Sequence, residues 1–341
     1  MVRIATCMLK AETYASILCG QPPNIHCEEL DVSLPSTFAL FNSNGLGVTY
    51  ERTIQEPTGR AYCKLFAIAS NSEQSMPCVL LIEDIQIGLC AALRSVWKHN
   101  RLCRSGVMGL HPTADTSESI STELDAWKME LDKILVQCVM QSKEESPGLP
   151  LRAYLGFEDE SDSGWKTIAL GRVKALTTET AILYHLLSLH LYISRQAELA
   201  EFLLPNPGGA LIRPPPRDDW VSRWKQSKDA RKALAHAVAV TQTLEYALLG
   251  TKDPPLPSPI TPLAFSISRS ILTIWGASLE GACTCNVEEE HIDIDLNSEG
   301  LYRGSELQGW FENGGPPKVK GHPLCKCAGD LWFLRLEALL L

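Results

Sequence analysis

Six side chains in the last sixty residues have the chemistry of soft metal ligands: Cys283, Cys285, His291, His322, Cys325 and Cys327. Zinc takes thiolate and imidazole ligands tetrahedrally, so four of these could close a structural site. Their spacing argues against one. Cys283-Thr284-Cys285 and Cys325-Lys326-Cys327 leave a single residue between thiols, whereas zinc sites use two to four. A redox-sensitive thiol cluster is a second reading of the same residues, and solvated loop cysteines are the third. The spacing favours the third, and no metal is assigned to the chain on this pattern.

Other chemical patterns fail at identifiable residues. Gly45-Leu46-Gly47 lacks the third glycine and the strand–turn–helix context of a dinucleotide or phosphate loop. Gly276-Ala277-Ser278 runs on to Glu280, without the second glycine of a nucleophile elbow. Asp218-Asp219 begins like a metal–diphosphate carboxylate motif, but Ser222 stands where its third carboxylate belongs. Asp293, Asp295 and Asn297 begin like a calcium loop, with Ser298 in place of the turn glycine and Gly304 in place of the bidentate Glu. His185 and His190 are five residues apart, about 140° around a helix, so they cannot chelate one ion together. Core or interhelical hydrogen-bonding histidines are expected. No residue takes a catalytic role.

The elements that would carry these residues are helices. Ile82, Ile85, Leu89, Leu93 and Val96 step by three and four, as do Ile120, Leu124, Trp127, Leu131, Ile134 and Cys138. Residues 178–204 carry two apolar faces, which predicts a helix buried on most sides. A further helix is expected from Ser227 to Gly250. Another should start at Thr261-Pro262, where proline's missing N–H costs nothing, and stop by Gly281. At the start of the chain, a helix should end at Gly20, be prevented from continuing by Pro22-Pro23, and give way to an extended segment over 29–35.

Strand signals are scarce, so the fold class is all-α: an irregular multi-helix array. One helical region is expected over 1–281, with long breaker-rich loops at 40–60, 103–117, 142–165, 205–217 and 250–260. Residues 282–329 show little periodicity and are expected to be weakly structured. A terminal helix should occupy 330–341 and pack on the same array.

Composition bounds the function. The 341 residues include 45% apolar and 21% charged side chains, enough for a sizeable core and against disorder. A net charge of −9 argues against this chain itself gripping a phosphate backbone. Cys7, Cys19, Cys63, Cys90 and Cys138 sit singly in apolar patterns, where a reduced thiol packs as a small hydrophobe. An intracellular, reducing compartment is expected. The longest apolar run, Ala181 to Ile193, is interrupted by His185, Ser188 and His190 and is too short and polar to span a bilayer. No membrane partner is expected.

Several segments resemble the regulatory (middle homology) region of fungal zinc-finger and zinc-cluster transcription factors. Residues 12–36 follow the order Thr13-Tyr14, Ser16, Gly20, Pro22-Pro23, Ile25, then Glu29, Asp31, Leu34-Pro35. Leu176 to Leu191 resembles that family's Leu-Tyr-His-Leu-Leu-Ser-Leu helix, with His185 in the histidine position. Trp224 to Ala237 is similar to its W-x-x-S-x-x-A-R-K-A-x-x-H-A segment and is the most specific match. Pro262-Leu263-Ala264-Phe265 through Trp275-Gly276 resembles the helix that follows, and Trp310-Phe311 fits the closing loop. The segments keep the family's order over about 12–341. In the Trp224 segment, Ala230, Ala233, Leu234 and Ala237 should pack closely against neighbours, and Arg231-Lys232 should lie on an exposed face.

The resemblance implies a nuclear regulator of transcription by RNA polymerase II. It implies DNA and zinc binding only through an N-terminal module, and no Cys-x-x-Cys of such a module occurs in this chain. Implied partners are a second copy in a homodimer, a small-molecule inducer or a co-regulator protein; no DNA-binding residue can be named. The alternative is a stand-alone helical interaction or dimerisation regulator that acts without DNA. A helical enzyme is a third reading, and the failed motifs rank it last.

Overall fold

The computed structural model describes residues 2–25, 29, 31–69, 77, 79–105, 114–158, 160–162, 164–194, 203, 218–249, 258–277, 292–294 and 305–324. The class is all-α. In chain order the helices are α1 (Val2–Cys19), α2 (Phe38–Phe41), α3 (Leu46–Gln55), α4 (Leu65–Ala69), α5 (Ile82–Ser105), α6 (Ala114–Gln141), α7 (Leu149–Arg152), α8 (Trp165–Ile193), α9 (Asp218–Lys225), α10 (Lys228–Leu249), α11 (Thr261–Ala277) and α12 (Ser305–Asn313). The chain forms two compact units. The first comprises Met1–Ser16, Pro22–Ser95 and Thr122–Tyr184; the second comprises Ile17–Gln21, Val96–Ser121 and His185–Leu341.

In the first unit the helical stripes read from spacing become core. Ile82, Ile85, Leu89 and Leu93 of α5 are buried, as are Leu124, Trp127, Leu131, Ile134 and Cys138 of α6. Gly88 allows α5 to lie against the Trp127 ring: a Cβ there would sit 2.4 Å from Cε2. The start of α5 is fixed by a buried ion pair. Arg60 donates from Nη1 and Nη2 to the two Asp84 oxygens at 2.7 Å and from Nε to the Pro35 carbonyl at 2.8 Å. Asp84 Oδ2 also accepts the Leu81 N–H, and the Tyr154 hydroxyl accepts the Ile82 N–H. Two orphan donors of the first turn are thereby satisfied. Burial holds the Tyr154 phenol well above its ordinary range.

At the chain's start, Gly20 has φ 63, the left-handed stop expected after α1. The extended segment that follows pairs with the approach to α4: Leu34 N–H donates to the Cys63 carbonyl and Leu65 N–H to the Val32 carbonyl.

Several expectations are corrected. Residues 40–60 are not a continuous loop: α3 lies inside them, and a 3-10 turn follows at Arg60–Tyr62. The periodicity misled because α3 turns Leu46, Tyr50 and Ile54 outward and buries Arg52, which donates to the Ala39 and Gly156 carbonyls. Helix α8 starts at Trp165, well before the expected 178, and Ala169 and Val173 extend its buried face. Cys90 and Cys138 pack as expected, whereas Cys7 and Cys19 are exposed.

In the second unit, α10 starts as its sequence predicts. Ser227 Oγ accepts the Ala230 N–H at 3.1 Å, a serine cap. Helix α11 starts at Thr261 with Pro262 in its first turn.

The segment 282–329 was expected to be weakly structured; its described residues, 292–294 and 305–324, take regular structure in part. It holds α12 and a small sheet, β1 (Ile292–Asp293), β2 (Pro317–Val319) and β3 (His322–Pro323), in the order β1-β2-β3. β1 pairs parallel with β2, and β2 antiparallel with β3 through Val319↔His322. The turn between β2 and β3 is Lys320-Gly321, with φ 50 and 77, the positive pair a two-residue hairpin needs. Helix α10 anchors this sheet: Glu245 pairs with Lys320 at 2.5 Å, and Gln242 donates to the Ile294 carbonyl. The terminal helix expected over 330–341 lies outside the described residues, as do the loop 205–217 and residues 250–257 of the loop expected over 250–260.

Candidate functional site

The second unit gathers residues from three of the motif segments around α10. The α10 sequence alternates small and branched apolar residues, and Ala230, Ala233, Leu234 and Ala237 are all fully buried, as their spacing predicts. Small residues let neighbouring helices approach α10 closely enough for polar groups to meet.

At the centre, His185 of α8 meets His236 of α10. Their Nδ1 atoms lie 3.0 Å apart, with ring centroids 5.3 Å apart, and both residues are buried, at 3% and 5% exposure. Two imidazoles in this contact share one proton: one Nδ1 donates and the other accepts. Protonating both would set two donors against each other. Tyr192 stacks on His236 at 5.6 Å and 24°, and its hydroxyl bonds Ser121 Oγ of α6 at 2.7 Å. The Lys232 ammonium lies 5.1 Å from the Tyr192 ring centroid, a cation–π contact that places a positive charge beside the histidine pair.

Two further anchors radiate from the same segment. Arg231 was expected on an exposed face; it is 8% exposed instead. Its Nε and Nη2 donate to the Phe311 carbonyl at 3.0 and 2.7 Å, and its Nη1 to the Gln226 carbonyl at 2.7 Å. A guanidinium presents several donors in one plane, so it can satisfy the orphan carbonyls at the end of α12 while buried. Gly314 follows that helix end at φ 77, and a Cβ there would lie 3.3 Å from Arg231 Nη1. Lys225, at the end of α9, donates from Nζ to the Trp275 carbonyl of α11 at 2.8 Å and lies 5.6 Å from the Trp275 ring centroid. Burial lowers its ammonium to about 8.

The structure therefore unites His185 with His236 rather than with His190. The signal for the rest was present in the sequence. Tyr192 is seven residues after His185, within about 20° on the helical wheel, and Lys232 is one turn before His236. Of the six soft ligands, His322 is exposed in β3, and Cys283, Cys285, His291, Cys325 and Cys327 lie outside the described residues. Among the described residues no group of three or more His, Cys, Asp or Glu is placed to hold a metal ion. Asp293, considered for a calcium loop, accepts the Gly321 N–H at 2.6 Å and braces the hairpin. Asp218-Asp219 fall in the first turn of α9. No described helix is long and apolar enough to cross a membrane.

No family model, curated protein or solved structure matches the chain.

Proposed function

We propose that this chain is the regulatory portion of a fungal transcription factor, acting in the nucleus on transcription by RNA polymerase II. DNA contact and zinc belong, on this reading, to a separate module. The observation that carries the reading is the meeting of His185 with His236 at 3.0 Å. These are the histidines of two of the motif segments that resemble the family, the Trp224 segment being the most specific of them. The neighbouring segments meet through Arg231 with Phe311 and Lys225 with Trp275. Motif residues that hold one another in place are what a sequence pattern set by packing requires.

A stand-alone helical interaction regulator is the second reading, and one feature of the first unit favours it. Leu46, Tyr50 and Ile54 form a stripe along α3 at 92%, 68% and 67% exposure, a surface suited to a protein partner.

Sequencing the transcript upstream of Met1 separates the two. An in-frame extension with regularly spaced Cys-x-x-Cys pairs is the result expected of a transcription factor. A stop codon directly upstream in every transcript would overturn that reading in favour of the second.

A further inference from the structure

Helix α1 shows an apolar face to solvent. Ile4, Met8, Ala11 and Ala15 are all exposed, the first two at 63% and 57%. Their spacing of four, three and four is the seam of a coiled coil, with Met8 and Ala15 at one seam position and Ile4 and Ala11 at the other. The buried side of the same helix is the more polar: Thr13 and Ser16 lie there with Leu9. All three charged residues of α1 stand off the seam and are bonded within the chain. Lys10 pairs with Glu179, Arg3 donates to the Ser36 carbonyl, and Glu12 accepts the Asn24 backbone and side-chain N–H groups. Covering the seam therefore takes no charge out of water, the step that makes buried ions costly.

We propose that this face is a self-association surface: a second copy of the chain lays its own α1 antiparallel along the seam, about a two-fold axis level with Leu9 and Lys10. The occupant and the register follow from side-chain size. In this arrangement Ile4 meets the partner's Ala15 and Met8 meets the partner's Ala11, and the two-fold axis repeats both contacts. Every layer then joins one large side chain to one small, so the helices keep a constant separation. A parallel pair in register would stack Met8 on Met8 and Ala11 on Ala11, wide at one layer and hollow at the next. Each copy presents the same patch to the other, which closes the assembly at two. The area also agrees. Along the 18 residues of α1, about 27 Å, the two copies cover about 1,000 Å² in all, the least that a specific interface needs. A dissociation constant on the order of 10 μM is expected of so small an interface. The pairing does not depend on which of the two proposed roles the chain plays.

Sedimentation equilibrium of the full chain from about 1 to about 200 μM tests this, and the weight-average mass should climb from the monomer's to twice that value. Ala11→Glu sets a charge on the seam at an exposed helical position. Its far-ultraviolet circular dichroism should match the unaltered protein, and its mass should stay at the monomer's throughout. Ala11→Leu sets large against large in the antiparallel register and should raise the dissociation constant about tenfold. In a parallel pair the same change would fill the hollow layer and lower it. A monomer at every concentration, or a dimer that Ala11→Glu leaves intact, would overturn the surface. Tighter association of Ala11→Leu would overturn the register.

Discussion

Charged side chains in this protein do much of the positioning. Arg52, Arg60 and Arg231 are each buried and each spend most of their donors on backbone carbonyls or one carboxylate. Arg172 does related work at the surface of the first unit. It pairs with Glu158 through both guanidinium nitrogens and donates to the Tyr154 carbonyl. The Arg172 hydrogen bond is the main cause that draws the Glu158 carboxyl down to about 2. A carboxylate depressed in the folded state contributes stability above its unfolded value, near 4.5, and loses that contribution as pH falls toward 2. Arg172→Met is therefore expected to cost about 1 kcal/mol at pH 7 by urea denaturation. That difference from the unaltered protein should shrink progressively between pH 5 and 2. A difference independent of pH would leave the Tyr154 carbonyl and the Phe38 ring, rather than Glu158, as what Arg172 holds.

At the scale of helices, close approach decides where glycine is needed. Gly88 and Gly171 both sit inside long helices, where alanine is favoured by about 1 kcal/mol. Of the two, Gly88 faces a neighbour: its missing Cβ would overlap the buried Trp127 ring at 2.4 Å, while none of the described residues lies within 4 Å of the corresponding point at Gly171. Gly88→Ala should lower stability by about 1–3 kcal/mol. Gly171→Ala should raise it by about 0.5–1 kcal/mol. Thermal unfolding of both variants checks the pair, and stabilisation by Gly88→Ala would show that α5 and α6 do not pack as described.

These helices also show what spacing could reveal. The stripes of α5 and α6, the serine cap of α10 and the proline start of α11 were legible because each is a local pattern with one physical meaning. Helix α3 was not, since its buried anchor is an arginine and its apolar face looks outward. The β2–β3 hairpin was missed because its turn, Lys320-Gly321, demands positive φ of a lysine, and strands this short carry no alternation. The histidine pair was half legible. Burial of His185 followed from its apolar helix, but its partner on α10 is 51 residues away and no periodicity links them.

For the whole molecule, the proposed role is regulation of transcription rather than reading of DNA by this chain itself. An acidic balance of −9 is the observation in its favour, since gripping a phosphate backbone needs a basic face. The decisive measurement joins the full chain to an unrelated DNA-binding domain and counts transcripts from a reporter carrying that domain's site. A regulatory region should change transcript number, up or down, and the His236→Ala variant, expressed at equal level, should reduce or abolish that change. Transcript numbers equal to those of the DNA-binding domain alone would contradict it.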